Sequence, residues 1–115
     1  MEFEIDVDKD EKEEYGVLDT IAGDKLYTAI LLIMLKNKAF NSRHAIPTPN
    51  IYRAIRREID RSAKYLQVWK RLYRLLECGI VERVEGNPVR WYIKRDSIDM
   101  IAKALLKQHN GFWTE

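Results

Sequence analysis

The chain has 115 residues, of which 46% are hydrophobic, so it is long enough for one domain with a single core and too short for a multidomain enzyme. Charged residues make up 33% of the chain, and the few glycines (5) and prolines (3) exclude a collagen-like or fully disordered sequence. The longest apolar run, Ala29 to Leu35, is far shorter than the ~20 residues of a membrane-spanning helix, and the acidic N-terminus is unlike a secretory signal. One cysteine, Cys78, and two histidines exclude an internal disulfide and the usual structural zinc site. We therefore expect a cytoplasmic protein with no metal, no cofactor and no membrane association.

Charge is distributed unevenly along the chain. Residues 1–15 contain eight acids and two lysines, a net charge of −6, which leaves +8 for residues 16–115. The excess is concentrated in residues 43–74, where nine basic residues are accompanied only by Glu58 and Asp60. Such a basic segment predicts a polyanionic partner, of which nucleic acid is the obvious one. The alternative is a solvated pair of helices in a charge-rich protein.

Residues 1–15 are interpreted as an acidic N-terminal arm. Phe3, Ile5 and Val7 alternate with acids, a period typical of a short strand with one apolar face. Such a strand can pair with a sheet edge or with a partner chain, and the alternative is a disordered acidic tail. Because its charge is opposite to that of the rest of the chain, we expect that the arm can fold back on the basic residues and weaken non-specific binding.

Two helices are predicted next. Asp24 suits the N-cap of a helix over residues 24–38, which is apolar most of the way round and therefore lies among several neighbours or in a dimer interface. Residues 40–49 are predicted to be a connection. Thr48 and Pro49 then suit the N-cap and the first position of a second helix over 49–60. Its inward-facing residues are predicted to be Ile51, Ala54, Ile55 and Ile59.

A third helix is predicted over residues 62–78. Ser62 suits its N-cap after a turn of one to three residues, and Gly79 stands where a left-handed C-cap belongs. At 100° per residue this helix has two faces. The expected core face comprises Tyr65, Val68, Trp69, Leu72, Leu75 and Leu76. The opposite face carries Lys64, Gln67, Lys70, Arg71 and Arg74.

A β-hairpin and a last helix complete the predicted elements. Residues 80–84 and 89–94 are rich in β-branched and aromatic side chains and are joined by a turn with glycine and proline, a pattern that predicts a hairpin. Its aromatic residues, Trp91 and Tyr92, are expected in the core rather than as base-stacking platforms. Asp96 or Ser97 is expected to cap a helix over 97–109, which Asn110-Gly111 ends.

The order helix, helix, short turn, helix, hairpin, helix resembles the winged helix-turn-helix family. In that family a leucine four residues before a glycine, then an apolar pair and a basic residue, recurs where the recognition helix meets the wing. Leu75, Gly79, Ile80-Val81 and Arg83 match this pattern, and residues 90–93 resemble the second wing strand. The resemblance covers about residues 24–95 and departs from the family in its short wing and its acidic arm. The last helix is similar to the dimerisation helices of small MarR-type and archaeal or archaeal-viral regulators.

The resemblance implies an α+β, mostly helical fold with a three-helix core, a hairpin wing and an extra C-terminal helix. Residues 16–96 would form the winged-helix domain, and residues 97–115 a C-terminal helix and tail for dimerisation. A homodimer is also expected because some apolar residues exceed the needs of one small core: Leu31, Leu32, Leu35, Leu106 and Trp113.

The implied function is sequence-specific binding of double-stranded DNA by a transcriptional regulator, located in the cytoplasm, or in the host cell if viral. Helix 62–78 would enter the major groove, the second helix would bind phosphates, and hairpin 80–94 would act as the wing. The residues expected to contact DNA are Arg53, Arg56, Arg57, Arg61, Ser62, Lys64, Gln67, Lys70, Arg71, Arg74, Arg83, Asn87 and Arg90.

Catalysis is not expected. Cys78 stands at a helix C-terminus, the wrong end for lowering a thiol pKa, and His44 and His109 are isolated in the sequence. The chain has no phosphate-binding glycine loop and no metal-ligand spacing. The alternative function is a winged helix that binds proteins within a transcription, replication or sorting complex, since a fold does not fix a function.

Overall fold

The computed structural model describes the backbone of residues 23–113 and the side chains of residues 23–105. Over these residues the chain has an α+β fold with four α-helices and a three-stranded antiparallel sheet. In chain order the elements are α1 (Lys25–Lys36), a 3-10 turn (Ser42–His44), β1 (Ile46–Pro47), α2 (Thr48–Glu58), α3 (Tyr65–Glu77), β2 (Val81–Val84), β3 (Arg90–Ile93), a second 3-10 turn (Arg95–Ser97) and α4 (Ile98–Trp113). The predicted acidic arm lies outside the described residues. No helix in the described part of the chain has both the length and the apolar character needed to cross a bilayer.

Helix α1 begins where the sequence predicts. The Asp24 Oδ1 accepts hydrogen bonds from the backbone N–H of Leu26 at 2.8 Å and of Tyr27 at 3.0 Å, which confirms Asp24 as the N-cap. The helix packs against α2, α3 and β3 and therefore lies at the centre of the fold. Its apolar residues on most sides are explained by these several neighbours.

The apolar surplus expected for a dimer interface is smaller than predicted. Leu31 is 0% exposed, because the core of a single chain already covers it. Leu32 and Leu35 are half-buried and pack against the same core. The side chains of Leu106 and Trp113 lie outside the described residues.

The predicted hairpin is confirmed, and the sheet has a third strand that the sequence analysis missed. Strands β2 and β3 pair antiparallel, with Val81 opposite Ile93 and Val84 opposite Arg90. Strand β1 lies in the stretch predicted as a connection and pairs with the other edge of β3, which gives the order β1-β3-β2. A strand of two residues has no periodicity to detect, so its pairing is decided by tertiary contacts.

Thr48 does not act as the N-cap of the second helix. Helix α2 begins at Thr48 itself, with Pro47 as the N-cap and Pro49 in the first turn. The buried Thr48 hydroxyl donates to the Val89 carbonyl at 2.9 Å and accepts the indole N–H of Trp91 at 2.7 Å. A buried indole N–H needs an acceptor, and this hydroxyl supplies it while joining the start of α2 to β3.

The turn between α2 and α3 is longer than predicted, and Ser62 is not the N-cap of α3. The Asp60 Oδ1 accepts hydrogen bonds from the Ser62 N–H at 2.9 Å and from the Ser62 hydroxyl at 2.6 Å. Asp60 and Ser62 thus form a local turn, which competes with helix initiation at this point. Helix α3 begins at Tyr65 with Lys64 as its N-cap, and no side chain caps it.

Helix α3 ends as predicted, and α4 begins within one residue of its predicted start but extends beyond its predicted end. Gly79 has φ of +76°, and the backbone N–H of Ile80 donates back to the Leu75 carbonyl at 3.0 Å, which is typical of a glycine C-cap. Asp96 and Ser97, the predicted caps, both lie in the 3-10 turn directly before α4, and the Ser97 hydroxyl donates to the Gly79 carbonyl at 3.4 Å. Helix α4 continues through Asn110 and Gly111 to Trp113, because one interior glycine costs a helix only about 1 kcal/mol.

Candidate nucleic-acid interface

Helix α3 presents two different faces, as its sequence predicts. Val68, Leu72 and Leu75 are buried and attach the helix to the core. We call the opposite side the cationic face. Its exposed members are Lys64, Gln67, Lys70 and Arg74, and its half-buried member is Arg71.

Arg71 is held by a partner outside its own helix. Its Nε donates to the Asp24 Oδ1 at 3.2 Å and its Nη2 to the Asp24 Oδ2 at 3.0 Å, a two-point ion pair between α3 and the N-terminus of α1. The guanidinium carbon lies 5.3 Å from the centre of the Tyr27 ring. A third nitrogen, Nη1, donates to the Gln67 Oε1 at 2.9 Å, so Asp24, Arg71 and Gln67 form a continuous chain of contacts.

The charge of Asp24 is stabilised by these contacts. Partial burial raises the pKa of its carboxyl, but the hydrogen bond from Arg71, the amides of Tyr27 and Leu26 and the Arg71 charge outweigh burial, so the pKa lies below its ordinary value. The sequence predicts Asp24 as a cap but does not predict this second role. The two residues are 47 positions apart, and no local pattern links them.

The four arginines of the second helix and its turn do not form one group. Arg56 donates to the Tyr52 hydroxyl and to the Arg61 carbonyl, each at 3.0 Å, and the Tyr52 ring meets Tyr65 of α3, so this group adjoins α3. Arg53 and Arg57 instead line a groove of about 300 Å³ between α1 and α2. One duplex lying along α3 is therefore closer to the first group than to the second.

Acidic side chains already neutralise part of this basic surface. Glu58 accepts contacts from the Lys36 Nζ at 2.7 Å and from the Arg57 Nη2 at 3.1 Å, and both cations lower the pKa of its carboxyl. Arg74 pairs with Glu77 at 3.4 Å. The cationic side chains that form no ion pair with any residue in the range 23–105 include Arg53, Arg61, Lys64 and Lys70.

The two arginines of the hairpin lie on opposite faces of the sheet. Arg83 stands opposite Trp91, whereas Arg90 stands opposite Val84, and neighbouring residues of a strand point to opposite sides. Arg83 donates from Nη1 to the Tyr73 hydroxyl at 3.0 Å and pairs with Glu85, so it lies beside α3. Arg90 donates to the Ser42 carbonyl at 3.4 Å on the other side. Asn87 is exposed in the turn of the hairpin, as predicted.

An exposed apolar surface adjoins the cationic face. We call it the aromatic flank, and it consists of Tyr65, Leu66, Trp69 and Tyr73 of α3. Tyr65 is 42%, Leu66 57% and Trp69 40% exposed, so the prediction that Tyr65 and Trp69 belong to the core was wrong. Trp91 is fully buried, as predicted, and Tyr92 is half-buried.

Ring contacts hold the aromatic flank in place. The Trp69 and Tyr73 ring centres are 4.1 Å apart, and Tyr73 meets the buried Trp91 edge-on at 5.0 Å. Tyr65 meets Tyr52 of α2 edge-on at 5.3 Å. The core of a small domain covers only part of an amphipathic helix, which leaves these rings at the boundary with solvent.

Comparison of the chain with protein-family models, with curated proteins and with solved structures found no match. Within the described residues, no group of three or more His, Cys, Asp or Glu side chains is placed to hold a metal ion. The candidate site therefore rests on the geometry of α3 and its neighbours.

Proposed function

We propose that the protein is a winged-helix regulator of transcription that binds double-stranded DNA sequence-specifically. Helix α3 would act as the recognition helix and the β2–β3 hairpin as the wing. The observation that carries this proposal is the cationic face, which points away from the core residues of the same helix. A helix of 13 residues is about 20 Å long, and an α-helix fits the major groove of B-DNA, which is about 12 Å wide.

The contacts within the cationic face support a division of roles. Lys64 and Lys70 of this face, and Arg61 in the turn before it, are exposed cations suited to phosphates, because each can release a condensed counterion. Gln67 and Arg71 are suited to base edges, since a side chain fixed by its neighbours is already ordered before binding. Asp24 would then act as a positioning residue for Arg71.

A salt titration tests the proposal directly. We expect the chain to bind a short random-sequence duplex at low salt, and log Kd to rise steeply with log salt concentration, by about 0.9 for each phosphate contact. Selection of bound fragments from random DNA should then yield a common sequence, with two half-sites about one helical turn apart if the protein acts as a homodimer. Absence of binding at low salt by a folded chain would contradict the proposal.

The aromatic flank favours a second candidate function, a winged helix that binds another protein. Tyrosine and tryptophan are enriched in the centres of protein interfaces, and Tyr65 and Trp69 are exposed beside the apolar side chain of Leu66. Charge reversal on the cationic face separates the two candidates. If Lys64→Glu and Lys70→Glu leave DNA binding intact, the cationic face is not the DNA-binding surface, which favours the second candidate.

A further inference from the structure

We propose that residues 1–15 bind to α3 of the same chain and cover the cationic face and the aromatic flank. The binding of this acidic segment stands on its own observations. Its consequence, control of DNA access to α3, rests on the proposed function.

The first observation is the place where the described chain begins. Asp24, directly after the first described residue, contacts Arg71 in the middle of α3 through the two-point ion pair. The acidic segment is therefore attached to the fold beside the surface it would cover. From Tyr15 to Asp24 the chain can span at most about 30 Å, whereas α3 is about 20 Å long, so every residue of α3 is within reach.

The second observation is charge. The acidic segment has a net charge of −6. Two acids form ion pairs with the cationic face. Glu77 of α3 contacts Arg74, and Asp24 at the start of α1 contacts Arg71. Lys64 and Lys70 form no ion pair in the described part of the chain. A tethered anion has an effective concentration on the order of millimolar, which favours it over a separate acidic partner.

The third observation is the order of residue types along the two surfaces. At 100° per residue, the order around α3 starting from Arg71 is Gln67, Arg74 and Lys70, followed by Leu66, Tyr73 and Trp69, so the aromatic flank follows the cationic face. Going outward from Asp24, the acidic segment has five acids within residues 8–14 first, and then residues 2–7, where Phe3, Ile5 and Val7 alternate with the other three acids. Acids near the attachment would lie over the cations, and Phe3, Ile5 and Val7 would lie over the exposed apolar residues.

A spin label on the full chain tests the binding itself. The label is attached at Glu2→Cys in a Cys78→Ser background, and amide signals are measured by NMR with the label oxidised and reduced. We expect the label to broaden the signals of Leu66 and Trp69 and to leave those of the exposed α4 residue Lys103 unchanged. If the amide signals of Leu66 and Trp69 have the same intensity with the label oxidised and reduced, the proposal is overturned.

A mixing control distinguishes binding within one chain from binding between copies. Labelled chain without isotope is mixed with unlabelled, isotope-enriched chain. Broadening in this mixture at the same strength would assign the aromatic flank to a second copy and overturn binding within one chain.

Two full-length variants test the consequence for DNA. One replaces the five acids between residues 8 and 14 with amides, and the other is Phe3→Ser/Ile5→Ser/Val7→Ser, which leaves the net charge unchanged. If the segment covers α3 for nine-tenths of the time, release raises the affinity for a random duplex about tenfold. A control for net charge, Asp96→Asn/Asp99→Asn, removes two exposed acids elsewhere and should raise affinity far less for each charge removed.

The outcomes separate this proposal from the proposed function. Label broadening without DNA binding by any variant supports the segment on α3 and removes the DNA function. DNA binding without label broadening supports the DNA function and overturns the binding of the segment to α3. If the label broadens the signals of Leu66 and Trp69 but Phe3→Ser/Ile5→Ser/Val7→Ser leaves the DNA affinity unchanged, the segment does not control the access of DNA to α3.

Discussion

Asp24 and Arg71 are 47 positions apart and share two hydrogen bonds, at 3.2 and 3.0 Å, that join the N-terminus of α1 to the middle of α3. Asp24 also caps α1, so one carboxylate both starts a helix and fixes an arginine of the cationic face. Both side chains are about a quarter exposed, which reduces but does not remove the solvent screening of the pair.

The first prediction concerns this pair and pH. Asp24→Asn keeps a good N-cap and removes the charge, so we expect a loss of about 1 kcal/mol in the free energy of unfolding at pH 7. The pKa of the Asp24 carboxyl is lower in the folded chain, so its stabilisation is complete above its ordinary pKa of about 4 and is lost as pH falls through the folded value. The free energies of unfolding of the two proteins, measured with urea from pH 7 to pH 2.5, should therefore become equal at the acid end of this range. A constant difference over that range would contradict the assignment.

The second prediction concerns the buried hydroxyl of Thr48. Thr48→Val keeps the shape of the side chain but leaves the Trp91 indole N–H and the Val89 carbonyl without this partner. We expect a loss of about 1–3 kcal/mol in the free energy of unfolding, measured by urea denaturation. Thr48→Ser retains the hydroxyl and is the matched comparison. If valine is tolerated better than serine, the hydrogen bonds are not the reason for threonine here.

The third prediction concerns the end of α3. Gly79 has φ of +76°, and a Cβ added there meets no atom within 4 Å, so the cost of Gly79→Ala comes from the backbone alone. We expect a loss of about 1–2 kcal/mol in thermal or urea unfolding. Gly23→Ala also meets no atom, at a position without positive φ, and should change stability by less than about 0.5 kcal/mol. Similar losses in both variants would show that the left-handed conformation is not the cause.

The fourth prediction concerns DNA binding by α3 and rests on the proposed function. Lys70→Gln should weaken binding to all sequences and reduce the slope of log Kd against log salt by about 0.9, because one phosphate contact is lost. Lys103→Gln removes the same charge from exposed α4 and should leave the slope unchanged. Fluorescence anisotropy with a labelled duplex measures both. Equal effects of the two variants would indicate attraction by overall charge without a defined interface.

Features with a local cause were predictable from the sequence. The Asp24 cap, the Gly79 C-cap and the hairpin each depend on residues within a few positions, and the structure confirms all three. The core face of α3 was predicted in part, since Val68, Leu72 and Leu75 are buried. Periodicity shows which face of a helix is apolar, but not how much of that face the neighbouring elements cover. The exposure of Trp69 was therefore not predicted.

Features that depend on distant partners were not predictable. Ser62 and Thr48 both have the chemistry of an N-cap, and each instead bonds to a group that only the fold or a competing turn supplies. The ion pair of Arg71 and the placement of Arg83 and Arg90 on opposite faces depend on pairing across the chain. Most candidate DNA-contacting residues lie on the elements predicted for them, but Arg61 and Ser62 lie in the turn between α2 and α3, and the mutual arrangement of the whole set required the structure.

The junction after the hairpin has a consequence for assembly. The Ser97 hydroxyl donates to the Gly79 carbonyl, and the Lys94 N–H donates to the Ile80 carbonyl at 2.9 Å, so the start of α4 is fastened to the end of α3. The direction in which α4 leaves the domain is thereby set relative to α3. A subunit or another protein that binds α4 would therefore have a set orientation relative to α3. A substitution that breaks these two hydrogen bonds would change that orientation.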